Sequence, residues 1–277
     1  MSDAISFYNQ RIVSNESIAP IVRVVETDID LYYHIAFEMY TAIERNNRDN
    51  LPSVFIAPVG PTFQYRRFAW LCRQRPIDLS QLHIFFMDEY LDKKGQLIDP
   101  NDTLSFRGFV RRELLDLLDD VSTFKPAQIY FPDPIDPDAY DARLSSLGGA
   151  QICFAGVGIN GHLAFNEPPS QEEPGFRNAP SRVVTLSRET ITINSNTALG
   201  GAWEQIPSQA VTVGMKQILE SYRIMVYLNR PWQRAVARKM LFGPVTTLFP
   251  ASLVREHKDV VVTMTESVAV PPNFGLR

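Results

Sequence analysis

Short runs dominated by apolar residues constrain this chain more than any other feature: SVFIA at 53–57, LHIFFM at 82–87, QICFA at 151–155 and RIMVYL at 223–228. They are too short for a membrane-crossing helix and too continuously apolar for strands with one wet face, so they read as strands buried on both sides. IVRVV at 21–25, AQIYF at 127–131 and DVVVTM at 259–264 add three more. Helical periodicity is expected between them at 28–46, with Asp28 near its start, and at 63–74, 104–119, 137–147, 210–221 and 232–242. Alternating strands and helices predict an α/β fold, a Rossmann-like, mainly parallel sheet with helices on both faces. No repeat or composition break divides the sequence, so residues 1–277 read as one α/β domain. The stretch 166–182, rich in Pro, Glu and Asn, reads as a long ordered loop or a lid.

Several function classes drop out on composition. The formal net charge is -4, which offers no broad basic face to nucleic acid. Arg66, Arg67, Arg73 and Arg75 form a local basic cluster and read as a solvated helix face. Cys72 and Cys153 make neither a disulfide framework nor a CxxC pair. The segment MSDAISFYNQ has no apolar core of signal length, and no run of 18 apolar residues exists, so a cytoplasmic protein without membrane contact is the default expectation. The four histidines, His34, His83, His162 and His257, form no HxxxH or HExxH pair, and no metal is expected.

In parallel sheets the loops leaving the carboxyl ends of strands build the binding crevice. Two segments qualify: Asp88-Glu89-Tyr90, and Gly156 to Pro168 in the sequence GVGINGHLAFNEP. The three glycines permit a sharp turn and could expose backbone N–H groups to an oxyanion or a sugar hydroxyl. His162 follows at once, Glu167 lies five residues on, and Asp88 reaches the same rim from another strand. A carboxylate, an imidazole and a second carboxylate can divide the work of removing and delivering protons. The alternative is structural: Asp88 caps a helix, Glu167 is solvated and His162 is a satisfied loop residue. Residues 156–161 match the spacing GxGxxG, but Pro168 and Pro169 argue against the helix that a dinucleotide site needs. No Walker A lysine and no GxSxG elbow is present.

MDEY at 87–90, GVGINGHLAFNEP at 156–168 and AVTVGM at 210–215, in this order, resemble the glucosamine-6-phosphate deaminase/isomerase family and, more distantly, the 6-phosphogluconolactonases. The resemblance implies a deaminase/isomerase-like fold acting on a small-molecule sugar or sugar phosphate. It implies that Asp88 moves a proton at carbon 2 of the ring-opened amino sugar. His162 would help open the ring and Glu167 would support His162. No organic cofactor is implied, because the substrate carbonyl carries the chemistry, and a homo-oligomer is compatible with it.

The departures from the family pattern are specific. Asn160 stands where the family has an aspartate in GVGxDGH, keeping hydrogen bonds but not charge. Where the family's phosphate loop reads close to PTGGTP, this chain has Pro58-Val59-Gly60-Pro61-Thr62-Phe63, in which Val59 lacks a hydroxyl and Pro61 lacks an N–H. Asn196 and Gln233, with Arg234 beside the latter, fall where the family has basic ligands. The implied substrate contacts are Val59, Gly60, Thr62, Gly158, Gly161, Asn196, Gln233 and Arg234. Weak binding of an ordinary 6-phosphosugar through that pocket is expected, with Arg66, Arg67 or Arg234 as candidates to rebuild an anion site. Arg182 resembles an effector contact, and Val184 replaces the basic residue expected two positions later. Three functions stay open: a sugar isomerase or amino-sugar deaminase with altered specificity, a non-catalytic carbohydrate-binding or regulatory protein on the same scaffold, and a sugar lactone hydrolase using His162 as base.

Overall fold

The computed structural model describes residues 7–16, 20–119 and 123–273. In chain order its strands are β1 (Ile21–Val25), β2 (Ser53–Ala57), β3 (Leu82–Phe86), β4 (Asp88–Leu91), β5 (Ile129–Tyr130), β6 (Ile152–Ala155), β7 (Arg182–Thr185), β8 (Gln209–Thr212), β9 (Arg223–Leu228) and β10 (Val260–Thr265). The helices are α1 (Asp28–Arg48), α2 (Gln64–Gln74), α3 (Phe106–Val110, continued by a π-helical turn Arg111–Leu115 and by Asp116–Leu118), α4 (Pro137–Ser146), α5 (Arg188–Ala198), α6 (Met215–Leu219), α7 (Gln233–Phe242) and α8 (Glu266–Ala269). None of the described helices is long and apolar enough to cross a membrane.

Seven strands pair in the order β1-β10-β9-β6-β2-β3-β5, every pair parallel. Successive residues of a strand point to opposite faces, and the packing follows that alternation. Val54, Ile56, Phe85, Cys153, Ile224, Val226 and Val262 pack on one face with Leu144 of α4, Ile218 of α6 and Val236 and Met240 of α7. Phe55, Ala57, Ile84, Phe86, Phe154, Met225 and Tyr227 pack on the other with Leu31, Ile35 and Met39 of α1, Phe68 of α2 and Leu114 beside α3. Each large apolar side chain buried this way contributes about 1.5–3 kcal/mol, which explains why the strand runs carry so few polar residues.

From β2 the chain steps to β3 and β5 in one direction, and from β6 to β9 and β10 in the other. The order therefore reverses between β2 and β6, and the loops 58–63 and 156–162 leave the carboxyl ends of these two strands.

A second, antiparallel sheet has the order β4-β8-β7. Met87 alone links it to β3: its N–H donates to Ala57 O (3.1 Å) and its carbonyl accepts from Val213 N–H (2.7 Å). This part of the chain departs from the sequence reading in three places. Residues 88–90 are a strand rather than a rim loop. The helix expected at 210–221 is β8 followed by the short α6, broken at Gly214, where a Cβ would lie 2.1 Å from Ala179 O. Helix α5 was not anticipated, because RETITINSNTA buries only Thr190 and Ser195 and so lacks an apolar stripe.

Candidate active site

Asp88 opens β4, in register with Thr212 of β8. It is buried, and no described residue donates a hydrogen bond to its carboxylate. Burial, and then the charge of neighbouring Glu89, push the Asp88 carboxyl up to about 8. Glu89 instead supports a helix start, that of α3, whose N-cap Ser105 accepts Gly108 N–H at Oγ (3.1 Å). The fully buried carboxylate of Glu89 accepts from the backbone N–H of Tyr90 (2.9 Å), Phe106 (3.0 Å) and Arg107 (2.9 Å) and from Ser105 Oγ (2.9 Å), closing the N-terminus of α3. Adjacent strand residues face opposite ways, so one carboxylate is structural and the other has no partner. The sequence reading did not assign Glu89 a role, and two neighbouring acids give no signal of which is bonded.

The His162 loop is a tight turn in which Gly158 N–H donates to His162 O (3.0 Å) and Gly161 N–H to Gly158 O (3.0 Å). Both amides, read from the sequence as substrate donors, are taken up inside the turn. A Cβ on Gly158 would lie 2.0 Å from Cε1 and Nε2 of the imidazole, so this glycine provides the space in which the ring sits. Gly161 has φ +90°, and a Cβ there would meet the Phe249 ring at 2.5 Å.

Asn160 Nδ2 lies 2.6 Å from Glu167 Oε2 and 3.0 Å from Ser187 Oγ. A carboxylate only accepts, so the amide must turn its NH₂ toward Glu167 and its oxygen toward His162. Asn160 Oδ1 is 2.8 Å from His162 Nδ1. The proton therefore sits on Nδ1, and Nε2 is left as the basic nitrogen. Thr190 Oγ1 stands 3.2 Å from Nδ1 and Glu167 Oε2 3.6 Å from it. Burial alone would raise the Glu167 carboxyl, but His162, Thr190 and Asn160 outweigh it and hold the group down at about 2. Ser187 N–H also donates to Glu167 Oε1 (3.1 Å). Ser187 and Thr190, at the start of α5, are site residues absent from the sequence reading. Their only signal is a hydroxyl at the N-cap and another three residues on.

Thr212 joins β4 to the loop that carries His162 and Phe165. It pairs with Asp88, and its Oγ1 accepts Phe165 N–H (2.9 Å). Asn166, fully buried, donates to Val213 O (2.8 Å) and accepts from Arg182 (2.8 Å). Tyr90, on the Asp88 face of β4, packs on the Phe165 ring (5.5 Å between centroids), which lies 6.1 Å from the imidazole. Asn194, one turn after Thr190, donates to Tyr90 Oη (2.9 Å).

The residues expected to hold an anion are distributed differently. Val59 is buried and its carbonyl accepts from Gln64 (3.3 Å). Gly60 is exposed with open space around it, and Thr62 is half-buried. Gly60 O lies 3.5 Å from the Cβ position of Gly156, so the loops 58–63 and 156–162 touch. Gln233 is buried with its amide engaged: Oε1 accepts the N–H of Asn229 (3.0 Å) and Arg230 (2.9 Å), and Nε2 donates to Val157 O (2.8 Å). Arg234 donates to Ser267 O (2.7 Å). Asn196 is exposed, whereas Thr190 and Asn194 face the site. Among the described residues, no three His, Cys, Asp or Glu side chains are grouped to hold a metal ion.

No protein-family model matches the sequence. Curated relatives do. The glucosamine-6-phosphate deaminase of Clostridium beijerinckii is 33% identical over 214 residues, covering 76% of this chain and 82% of that protein. The enzyme of the same name from Hahella chejuensis is 30% identical over 202 residues, 71% of each chain. Among solved structures, a monomeric glucosamine-6-phosphate deaminase superposes with a TM-score of 0.77 at 25% identity, covering 90% of this chain and 98% of the other. The 6-phosphogluconolactonase of Thermotoga maritima shares the fold, with a TM-score of 0.63 at 14% identity over 88% of this chain and 98% of its own.

Proposed function

The chain belongs to the glucosamine-6-phosphate deaminase family, and from that premise we propose that it converts a 2-amino-2-deoxy sugar bearing an acidic group into the ketose, releasing ammonia, with specificity altered where that acid is read. His162 Nε2 takes the proton of the anomeric hydroxyl and returns one to the ring oxygen as the C1–O5 bond breaks. Asp88 then takes the proton from C2 of the open-chain aldehyde. The freed electron pair forms the C1=C2 bond, and O1 takes a proton from the adjacent ammonium. Asp88 returns its proton to C1, the nitrogen pair forms C2=N, and water replaces nitrogen at C2 to leave the ketone and ammonium.

One observation carries this reading: the Asn160 amide is held by Glu167 so that its oxygen faces His162 Nδ1. The relay fixes the Nδ1–H tautomer and leaves Nε2 as the nitrogen that can accept a proton, although its middle member bears no charge. An Asp88 carboxyl near 8 suits the second role, since a base whose pKa lies near the working pH exchanges a carbon-bound proton in both directions. A carbohydrate-binding module would need neither the fixed tautomer nor the unpartnered buried acid. Coupled assays of ammonia and ketose formation from glucosamine-6-phosphate and related acidic amino sugars test the proposal. Stoichiometric release of both products, lost in Asp88→Asn, is the expected result. No turnover of any of these sugars alongside measurable binding would replace it with the binding-protein reading.

A further inference from the structure

Resting on that reading, we propose that Arg230 is the cation that recognises the acidic group at the far end of the sugar. The reaction takes place at C1 and C2, so an anionic substituent at the other end needs its own partner. A dianion such as a phosphate ester is held chiefly by charge-assisted hydrogen bonds. The cations singled out from the sequence already have contacts of their own. Arg66 pairs with Glu113 on the surface. Arg67 lies over the Tyr33 ring at 5.1 Å, on the outer side of α2, with its Nε buried and without a hydrogen-bond partner among the described residues, so it has no N–H aimed at solvent from that atom. Arg234 is tied to Ser267 O, and Arg182 to Asn166 and Pro180. Asn196 and Gln233 carry no charge, and the Gln233 amide spends its oxygen on Asn229 and Arg230 N–H and one of its two N–H donors on Val157 O.

Arg230 occupies the loop that leaves the carboxyl end of β9, next to β6 in the sheet. That loop is fixed on both sides. Gln233 binds the backbone of Asn229 and Arg230 on one side and Val157 O on the other, which anchors it to the His162 loop. Asn229 Nδ2 donates to Tyr32 Oη (3.1 Å), and the Tyr32 ring meets Phe63 edge-on at 5.5 Å, which anchors it to the loop 58–63. The loops 58–63, 156–162 and 229–233 thus border one crevice at the point where strand order reverses. Arg230 is half-buried, and its guanidinium forms no hydrogen bond or ion pair with any described residue. A fixed backbone carrying an uncommitted guanidinium is the arrangement a ligand anion would complete, at little ordering cost beyond one side chain.

The surrounding charges are compatible with that role. Helix α2 begins at Gln64 beside the same loop, with no acidic residue in its first turn and no side chain capping it, so its N-terminal field favours an anion there. Asp28 at the start of α1 is near enough to act, with Arg230, on the Tyr32 hydroxyl. In this chain Val59 and Pro61 stand where a hydroxyl and an N–H would serve an anion in the loop 58–63, and a guanidinium on the loop after β9 supplies part of what they lack.

Calorimetry on the full chain tests the assignment with three probes: glucosamine-6-phosphate, glucosamine and inorganic phosphate. The proposal expects Arg230→Met to weaken glucosamine-6-phosphate and phosphate by about 10- to 100-fold, the scale of losing charge-assisted bonds, and to collapse the preference for the phosphorylated sugar. Arg230→Lys keeps the charge and should recover part of that preference, which separates a lost contact from a misfolded variant. A phosphorylated-to-neutral affinity ratio unchanged in Arg230→Met overturns it. The outcome is separate from that of the proposed reaction, because an Arg230-dependent preference in a protein that turns over no sugar would sustain the anion site while removing the chemistry.

Discussion

Asn160 Oδ1 lies 2.8 Å from His162 Nδ1, and the other end of the same amide lies 2.6 Å from Glu167 Oε2. A neutral residue thus transmits a carboxylate's preference to a histidine it holds at 3.6 Å. Removing the amide should do more damage than charging it. Asn160→Leu frees the imidazole to adopt either tautomer, and kcat should fall by about 10²- to 10⁴-fold, the usual contribution of general acid–base catalysis. Asn160→Asp keeps an acceptor oxygen against Nδ1 and should lose less kcat than Asn160→Leu. A kcat in Asn160→Leu equal to that of the parent would show that the relay does not matter to the ring.

Asp88 links activity to stability. Its carboxyl, raised to about 8 in the folded chain from an ordinary 3.8, must be ionised to act as a base. kcat/KM should therefore rise with pH and level off above about 8, on a limb that disappears in Asp88→Asn. The linkage runs the opposite way for stability. The folded state binds this proton more tightly than the unfolded state does. Stability from it is full below about pH 4 and is lost as pH rises through 8. Asp88→Asn should stabilise the protein increasingly across that window, by an amount on the order of a few kcal/mol at its upper end. Thermal melts of the two proteins at pH 5 and pH 8.5 check this, and an equal Tm difference at both values would contradict it.

Glu89 is the counterpart, a carboxylate whose hydrogen bonds are all inside the fold. Glu89→Gln replaces an acceptor of three backbone N–H groups, one hydroxyl and the Arg107 Nε–H (3.4 Å) with an amide that can satisfy only part of them. Unfolding by urea should show a loss of about 3 kcal/mol. Because Glu89 adds to the upward shift of Asp88, the activity limb should also move to lower pH. A variant as stable as the parent would mean that α3 is closed by other means.

Gly158 and Gly156 form an internal comparison. A methyl on Gly158 would lie 2.0 Å from the imidazole, whereas one on Gly156 would rest 3.5 Å from Gly60 O, an ordinary contact. Gly158→Ala should displace His162 and lower kcat by more than about 10²-fold, while Gly156→Ala should leave the ring in place. Equal kcat in the two variants would dissociate the ring position from the chemistry.

Residues 53–57, 82–86, 152–155 and 223–228 were legible as strands because a parallel sheet covered on both faces leaves no polar positions in them. The antiparallel sheet was not legible. Its strands are four residues long, β4 follows β3 after Met87 alone without turn residues, and β7 alternates in burial too briefly to stand out from the loop before it. Within the site, Asp88, His162 and Glu167 could be picked out because they follow strand ends. What separates Asp88 from Glu89 is burial against different neighbours, which two consecutive acids do not reveal. The glycines at 158 and 161 were read as N–H donors, but the space left by their missing Cβ atoms is what the turn uses. Arg230 carries no mark in the sequence, which does not show which of several arginines lacks a partner among the described residues.

The central claim is that Asp88 and His162 act on one sugar, and solvent isotope exchange tests it most directly. The protein is incubated in heavy water with glucosamine-6-phosphate, and the hydrogens on C1 and C2 of recovered substrate and product are followed by NMR. The account predicts solvent deuterium at C2 of recovered substrate and at C1 of the ketose, both absent in Asp88→Asn, with entry slowed in Asn160→Leu. Deuterium entering at the same rate in the parent protein and in Asp88→Asn would contradict it.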